Sequence, residues 1–328
     1  MPYRFKAGES VPENIKRIAT EEIDSAIDQL QHGTGKKRDE AIHEARKSIK
    51  KLRGVLKLIR PELDAAYRTE NAALRELGGR LSELRDAGAI IETFDSIVGK
   101  HRGKLTADGL APIRKGLRLR KQQKEKALNV TRVVNEAISG LGTARQRVLK
   151  WQLDNDGFES IASGLKRTYR DGKIAMRVAL KTARPEDYHE WRKRAKDHWY
   201  HIRLLESLWT EMMEARENSL HDLETWLGDD HNLVVLCEQL EQDSDGFGGQ
   251  DTVQLFSALA RQEQGELRKK SESLGQRVYE EKPKEFVRNV SKLWDVWHEH
   301  PRALKDVGPT RRGPQSAAPS VSRKAAHR

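Results

Sequence analysis

The chain has 328 residues, with 61 Lys+Arg against 50 Asp+Glu, a net charge of +11 and a sequence pI near 9.6. Charged residues make up 34% and apolar ones 36%, which suits long helices that each bury one stripe better than a many-stranded sandwich or barrel. One cysteine, Cys237, excludes a disulfide framework and a cysteine-based zinc site, and neither a membrane span nor a signal core over Met1 to Leu30 is present, as expected of a cytoplasmic protein.

Prolines punctuate the chain: Pro2, Pro12, Pro61, Pro112, Pro185 and Pro283 stand where apolar periodicity starts or stops. The stripe Ile15, Ile18, Ile23, Ile27, Leu30 predicts a helix over Glu13 to Gln31. Ile42, Ala45, Ile49, Leu52, Leu56 and Ile59 predict a second over Lys37 to Arg60. Glu62 to Val98 reads as two helical pieces with a break near Gly78-Gly79, and Leu110 to Ser139 as one basic helix. Ser139 to Gly157 reads as a connection between two halves.

A second helical series follows: Phe158 to Arg184, Glu186 to Trp209, Thr210 to Leu227, Asp229 to Leu240 and Asp251 to Tyr279. Asp243 to Gly249 is a glycine-rich loop, and an amphipathic helix with Val287, Val290, Leu293, Trp294 and Trp297 ends near His300. Trp151, Trp209 and Trp226 read, with Trp294 and Trp297, as packing residues. Residues 301–328 turn to Pro, Ser, Ala and Arg without period and read as a disordered basic tail. No alternating strand segment appears, so the class is all-α.

The halves repeat. A shift of 146 lays His43-Glu44 on His189-Glu190, Arg46-Lys47 on Arg192-Lys193, and Lys50 on Lys196. The same gapless shift lays Leu58 on Leu204, Leu74 on Leu220, Leu77 on Leu223, Leu81 on Leu227 and Glu92 on Glu238. On a helix, His43, Arg46, Lys47, Lys50, Arg53 and Lys57 share one side; His189, Arg192, Lys193, Lys196 and Arg203 form the copy. A basic run on one helix is ordinarily a solvated face. A second copy at a fixed shift argues for a shared ligand.

Charge is segregated as well. Residues 36–60 net +7, 112–126 net +6, 164–184 net +6 and 189–203 net +3, whereas residues 1–300 as a whole net only +5. Such stripes call for an anion opposite them or for acidic helices nearby.

The doubled H-E-x-R-K-x-x-K resembles the CHAD family, the α-helical domain named for its histidines. Trp199 to Leu205, Leu227 to Leu233 and the opening Tyr3 to Ser10 carry the resemblance further. It implies a stand-alone CHAD domain over residues 1–300: two tandem four-helix bundles, about 10–139 and about 157–300, with a linker at about 140–156. A pseudo-two-fold axis would relate the bundles around a basic central groove or pore. The implied ligand is inorganic polyphosphate, bound without catalysis or cofactor, in the cytoplasm and on polyphosphate granules. The implied site is His43, Arg46, Lys47, Lys50, Arg53, Lys57, His189, Arg192, Lys193, Lys196 and Arg203. Arg114, Arg118 and Lys121, and Lys166, Arg170 and Lys173, are further candidates for the groove wall.

The chemistry agrees with that ligand. A flexible anion without bases needs a line of Arg and Lys and no stacking aromatics, and none interrupts residues 43–57. Protonation of His43 and His189 would strengthen binding toward their usual range near 6.5. The alternatives are a general polyanion or nucleic-acid binder, a metal-dependent phosphohydrolase, and a scaffold for an acidic helix. The hydrolase lacks support: Lys47 spoils an H-E-x-x-H, and His198 with His201, or His298 with His300, lacks a placed carboxylate. Asp229-Asp230-His231 has a copy, Glu83-Leu84-Arg85, without those ligands, so a helix-connecting role is expected there. Cys237 is expected to be buried and inert.

Overall fold

The chain enters its first helix through a reciprocal cap. Ser10 Oγ accepts from the Glu13 amide at 3.4 Å, and Glu13 Oε2 accepts from the Ser10 amide at 2.8 Å. These bonds satisfy donors that a helix start leaves open. Ser10→Ala is expected to cost about 1 kcal/mol in urea unfolding. A negligible cost would assign the helix start instead to Asn14, whose side chain bonds the Lys6 and Glu9 carbonyls and the Lys6 amide.

The computed structural model describes residues 3–33, 35–101 and 107–300, without the side chains of 36, 85–87, 107 and 108. These residues form an all-α fold with no strand. The helices are α1 Val11–His32, α2 Arg38–Leu58, α3 Arg60–Lys100, α4 Ala111–Ala127, α5 Val130–Val148, α6 Glu159–Thr182, α7 Pro185–Leu204, α8 Thr210–Gln242, α9 Gln250–Val278 and α10 Pro283–Glu299. Pro12, Pro61, Pro112, Pro185 and Pro283 each stand in a first turn, as the sequence predicts. The tail from Pro301 lies outside the described residues.

Several predicted boundaries differ. The break near Gly78-Gly79 does not form; α3 runs through both glycines, and its non-helical residue is Asp64, at φ 40°. Two glycines cost a helix only about 1 kcal/mol each, less than the packing of α3 on α2 and α8 returns. Likewise Thr210 to Leu240 is one helix rather than two. In the opposite sense, Leu110 to Ser139 divides at Leu128-Asn129, where Asn129 Oδ1 caps α5 by accepting from the Arg132 amide. Helix α5 then continues through Gly140 and Gly142 to Val148, into the stretch read as a connection.

Packing runs in a similar order in the two halves, with α3 also on α5 in the first. In the first half α1 packs on α2 and α5, α2 on α3, and α3 on α4. In the second, α6 packs on α7 and α10, α7 on α8, and α8 on α9. Between halves, α2 meets α7 and α3 meets α8, while α6 also lies on α2 and α3. The apolar residues do not sort one cluster to each half. A larger cluster draws on α1, α2, α5, α6, α7, α10 and the near ends of α3 and α8. A smaller one joins the far ends of α3 and α8 to α4 and α9.

The α2–α7 crossing is close because Gly54 has no side chain: a Cβ there would lie 3.0 Å from Tyr200 Cβ. At this point His201 donates from Nε2 to the Gly54 carbonyl at 2.9 Å. Burial holds the His201 imidazole down at about 4, although that bond opposes the shift, so the ring is neutral. The N-terminal segment ties the halves further, with Tyr3 Oη donating to the Lys51 carbonyl and the Phe5 amide to that of Leu204. Trp209 departs from the expected packing role: it is 48% exposed.

Candidate anion-binding site

Beside the α2–α7 contact, a cleft of about 510 Å³ opens. His43, Arg46 and Lys50 line it from α2, and Arg192 from α7. Ala89, Ile90 and Glu92 of α3, Lys124 of α4, and His231, Asn232, Val235 and Gln239 of α8 complete the wall. A second cleft of about 470 Å³ shares His43 and Glu92 and adds Lys121 with Asp39 and Glu40, so the cavity continues around His43. Helical spacing of three and four brings His43, Arg46 and Lys50 to one side of α2. The crossing then turns that side toward its copy.

The inner end holds a mutually repelling group. Lys50 is pushed down to about 7 by burial first, then by Lys196, Arg46 and Arg192, with Glu224 opposing. Glu224 of α8 is 7% exposed and accepts from Arg192 Nε at 3.2 Å and from Lys196 Nζ at 2.6 Å. Burial pushes its carboxyl up, but Lys196 and Arg192 outweigh that and hold it below the usual range. Lys196 is itself lowered by burial against the pull of Glu224. A cavity wall of this kind favours an anion that makes several charge-assisted bonds at once.

The histidines behave differently from expectation. His189 lies against His231, ring centroids 3.8 Å apart. Burial, then Lys193 and Arg192, lowers His189; burial and then His189 push His231 down to about 4. His189 is therefore neutral at neutral pH, and any gain on protonating it falls below the range expected from the sequence. A neutral imidazole still donates one N–H.

The remaining sequence-predicted residues divide into four groups. Lys47 and Lys193 lie outside the cleft wall and pair with Glu44 and Glu190 on their own helices, both one turn back. Arg53, Lys57 and Arg203 are taken up by protein partners, Lys57 across the two halves and Arg53 and Arg203 within their own. Arg53 donates to Asn71, Lys57 clasps Asp197 with both N–O distances 2.6 Å, and Arg203 pairs with Glu217 over the rings of Tyr3 and Trp199. On the flanking helices, Lys121 reaches the second cleft, Arg114 pairs with Asp95, and Arg118 is exposed. Along α6, Lys166 is exposed, Arg170 pairs with Asp171, and Lys173 donates to the Glu280 and Glu281 carbonyls; none lines the cleft.

Although Leu227 to Leu233 carried His231 and Asn232 into the family resemblance, sequence reasoning gave no site role to Lys124, His231, Asn232, Glu92 and Glu224. The last four sit on α3 and α8, whose polar residues look like ordinary helix surface until the bundle closes. Asp230 does connect helices, as expected: Arg268 of α9 donates to both its oxygens. His198 is sealed among Tyr169, Tyr279 and Phe286, so with His201 on Gly54 these two make no metal pair. Among the described residues no group of three or more metal-ligating side chains converges, and no helix is long and apolar enough to cross a membrane. Cys237 is half-buried, its thiol pushed up by burial.

A family model for the CHAD domain matches residues 21–241. Among solved structures, the crystal structure of the CHAD domain from the plant Ricinus communis is similar in fold, with a TM-score of 0.58. Identity is 17%, over 85% of this chain and 96% of that one, a likeness that carries the fold alone. No match was found among curated proteins.

Proposed function

The chain belongs to the CHAD domain family, and on that premise we propose that it binds inorganic polyphosphate, without catalysis, in the cleft between α2 and α7. The observation that carries this reading is that Arg46 and Lys50 of one repeat copy and Arg192 of the other line one cavity, with the remaining counterpart, Lys196, near enough to Lys50 to repel it. Polyphosphate carries closely spaced charges on a flexible chain. The two forked guanidiniums can each take an oxygen pair along it, and the Lys50 ammonium a single oxygen. Lys121 and Lys124 extend the track past His43.

This reading includes an approximate two-fold relation between the halves. Gly54 abuts Tyr200, its own counterpart under the shift of 146, as residues beside such an axis would. It also includes a cytoplasmic location, on polyphosphate granules. A general polyanion binder is the second reading, favoured by the exposed basic face of α4, where Lys115, Arg118 and Lys126 stand open.

Titration with long-chain polyphosphate against DNA and RNA of matched charge tests the choice. Polyphosphate is expected to bind well ahead of both, with affinity falling roughly fiftyfold between 50 and 200 mM salt for four released counterions. Equal affinity for the three would favour the general binder. Arg46→Ala, Lys50→Ala, Arg192→Ala and Lys196→Ala together, with Glu224→Gln so that no buried carboxylate is left unpaired, should weaken binding at least about a hundredfold while helicity persists. Retained affinity would move the site elsewhere. Phosphate release that needs a divalent metal would instead support the hydrolase.

A further inference from the structure

The two copies of the basic motif are alike in sequence but not in their surroundings. Glu224 is bound to Arg192 and Lys196 at 3.2 and 2.6 Å. Under the shift of 146 its counterpart on α3 is Gly78, which has no side chain to offer Lys50. A Cβ at Gly78 would meet Ile49 Cγ2 alone, at 3.4 Å. One carboxylate therefore bonds one copy and reaches Lys50 of the other only through its field. Lys50 has no hydrogen bond or ion pair of its own among the described residues, and three cations bear on it.

We propose that Glu224 divides this four-cation cluster into a bonded pair, Arg192 and Lys196, and a lysine without a bonded carboxylate, Lys50, and that a phosphate chain enters the cleft together with one proton taken up from bulk water by Lys50 Nζ. The proposal rests on the polyphosphate reading and deepens it. No bond other than N–H forms, and the proton remains on Lys50 while the anion is bound. Binding strength is thereby tied to pH above neutrality, where the ligand's internal phosphates do not titrate.

The groups facing Lys50 come from every element around it. They are His43 and Arg46 on its own helix, Arg192 and Lys196 on α7, Glu224 and His231 on α8, and Glu92 and Lys124 across the cleft on α3 and α4. The arginines stay charged throughout. His231 is neutral, held at about 4, and Glu224 stays ionised. Lys196, although lowered by burial, keeps its bond to Glu224, and Lys50, near 7 in the free protein, is the group whose charge changes above neutrality. A bound polyanion raises it. The free protein then carries fewer protons than the complex above pH 7, so affinity rises as pH falls from the bound-state value to about 7 and levels off below.

Calorimetric titration of long-chain polyphosphate, in buffers of different ionisation enthalpy at fixed ionic strength, reads the proton directly. Long chains keep terminal phosphates, which titrate near 6, to a small share. The expected uptake is about 0.9 proton per occupied site at pH 8 and about 0.1 at pH 6, with affinity falling up to tenfold per pH unit above 7. Lys50→Arg, permanently charged, should abolish the uptake and flatten that slope. Glu224→Gln strips Lys196 of its carboxylate and should raise the uptake at pH 8 above that of the parent, while increasing affinity at pH 6. Binding without uptake at pH 8, or an unchanged slope in Lys50→Arg, overturns the proposal and leaves the site standing. An unchanged uptake in Glu224→Gln overturns the division by Glu224. Absence of binding at every pH overturns the polyphosphate reading itself.

Discussion

Asp197→Ala is expected to destabilise the protein by about 3 kcal/mol while leaving the cleft's affinity for polyphosphate within about threefold. Asp197 clasps the Lys57 ammonium across the α2–α7 interface, with side chains 12% and 20% exposed. Burial already lowers Lys57, and Asp197 opposes that shift. Removing the carboxylate strands the ammonium in the interface, and the cost is limited only by the lysine's ability to shed its proton. Lys57→Ala should cost less, because Arg194, at 3.9 Å, remains to accompany Asp197. Replacing both by apolar residues of similar volume should restore much of the loss. Urea unfolding of the three variants checks the order. If Asp197→Ala instead abolished binding at unchanged stability, the lower half of the stripe would belong to the ligand site after all.

Gly164→Ala should be costlier still, about 3 kcal/mol or more, and is expected to leave little folded protein at 37 °C. Gly164 lies on α6 against the end of α2, where an added Cβ would fall 1.8 Å from the Leu58 carbonyl oxygen and 2.5 Å from its carbon. Both obstacles are backbone, so no side-chain rotation relieves them. Helices α2 and α6 would have to separate, and with them part of the contact between halves. Gly79→Ala is the control: it too is helical, but nothing lies within 4 Å of its Cβ. It should gain about 0.5–1 kcal/mol from better helix propensity. Thermal melts of the two variants should move in opposite directions; a shared direction would mean that the α2–α6 contact can give way.

Much of this protein was readable because its chemistry is periodic. The steps from His43 to Arg46 to Lys50 are local geometry, true of any helix, and the shift of 146 makes the second copy visible without a fold. Helix boundaries were readable where proline marked them. They were misjudged at Gly78-Gly79 and at Leu128-Asn129, where a local propensity of about 1 kcal/mol competes with tertiary packing or with a cap. The site was half readable for a related reason. A stripe specifies a side of a helix, not how far along it the neighbour stays away.

By itself, then, the sequence determined an all-α chain with two matched basic helices, since period, repeat and charge order are properties of the chain alone. Only the tertiary structure decided which cations remain for a ligand. Closure of the bundle at Gly54 leaves Arg53, Lys57 and Arg203 where desolvation obliges each to find a partner in the protein. It leaves His43, Arg46 and Lys50 beside a cavity whose walls are polar. The same closure set Glu224 against one copy and Gly78 against the other, so two stretches nearly identical in sequence became electrostatically unequal.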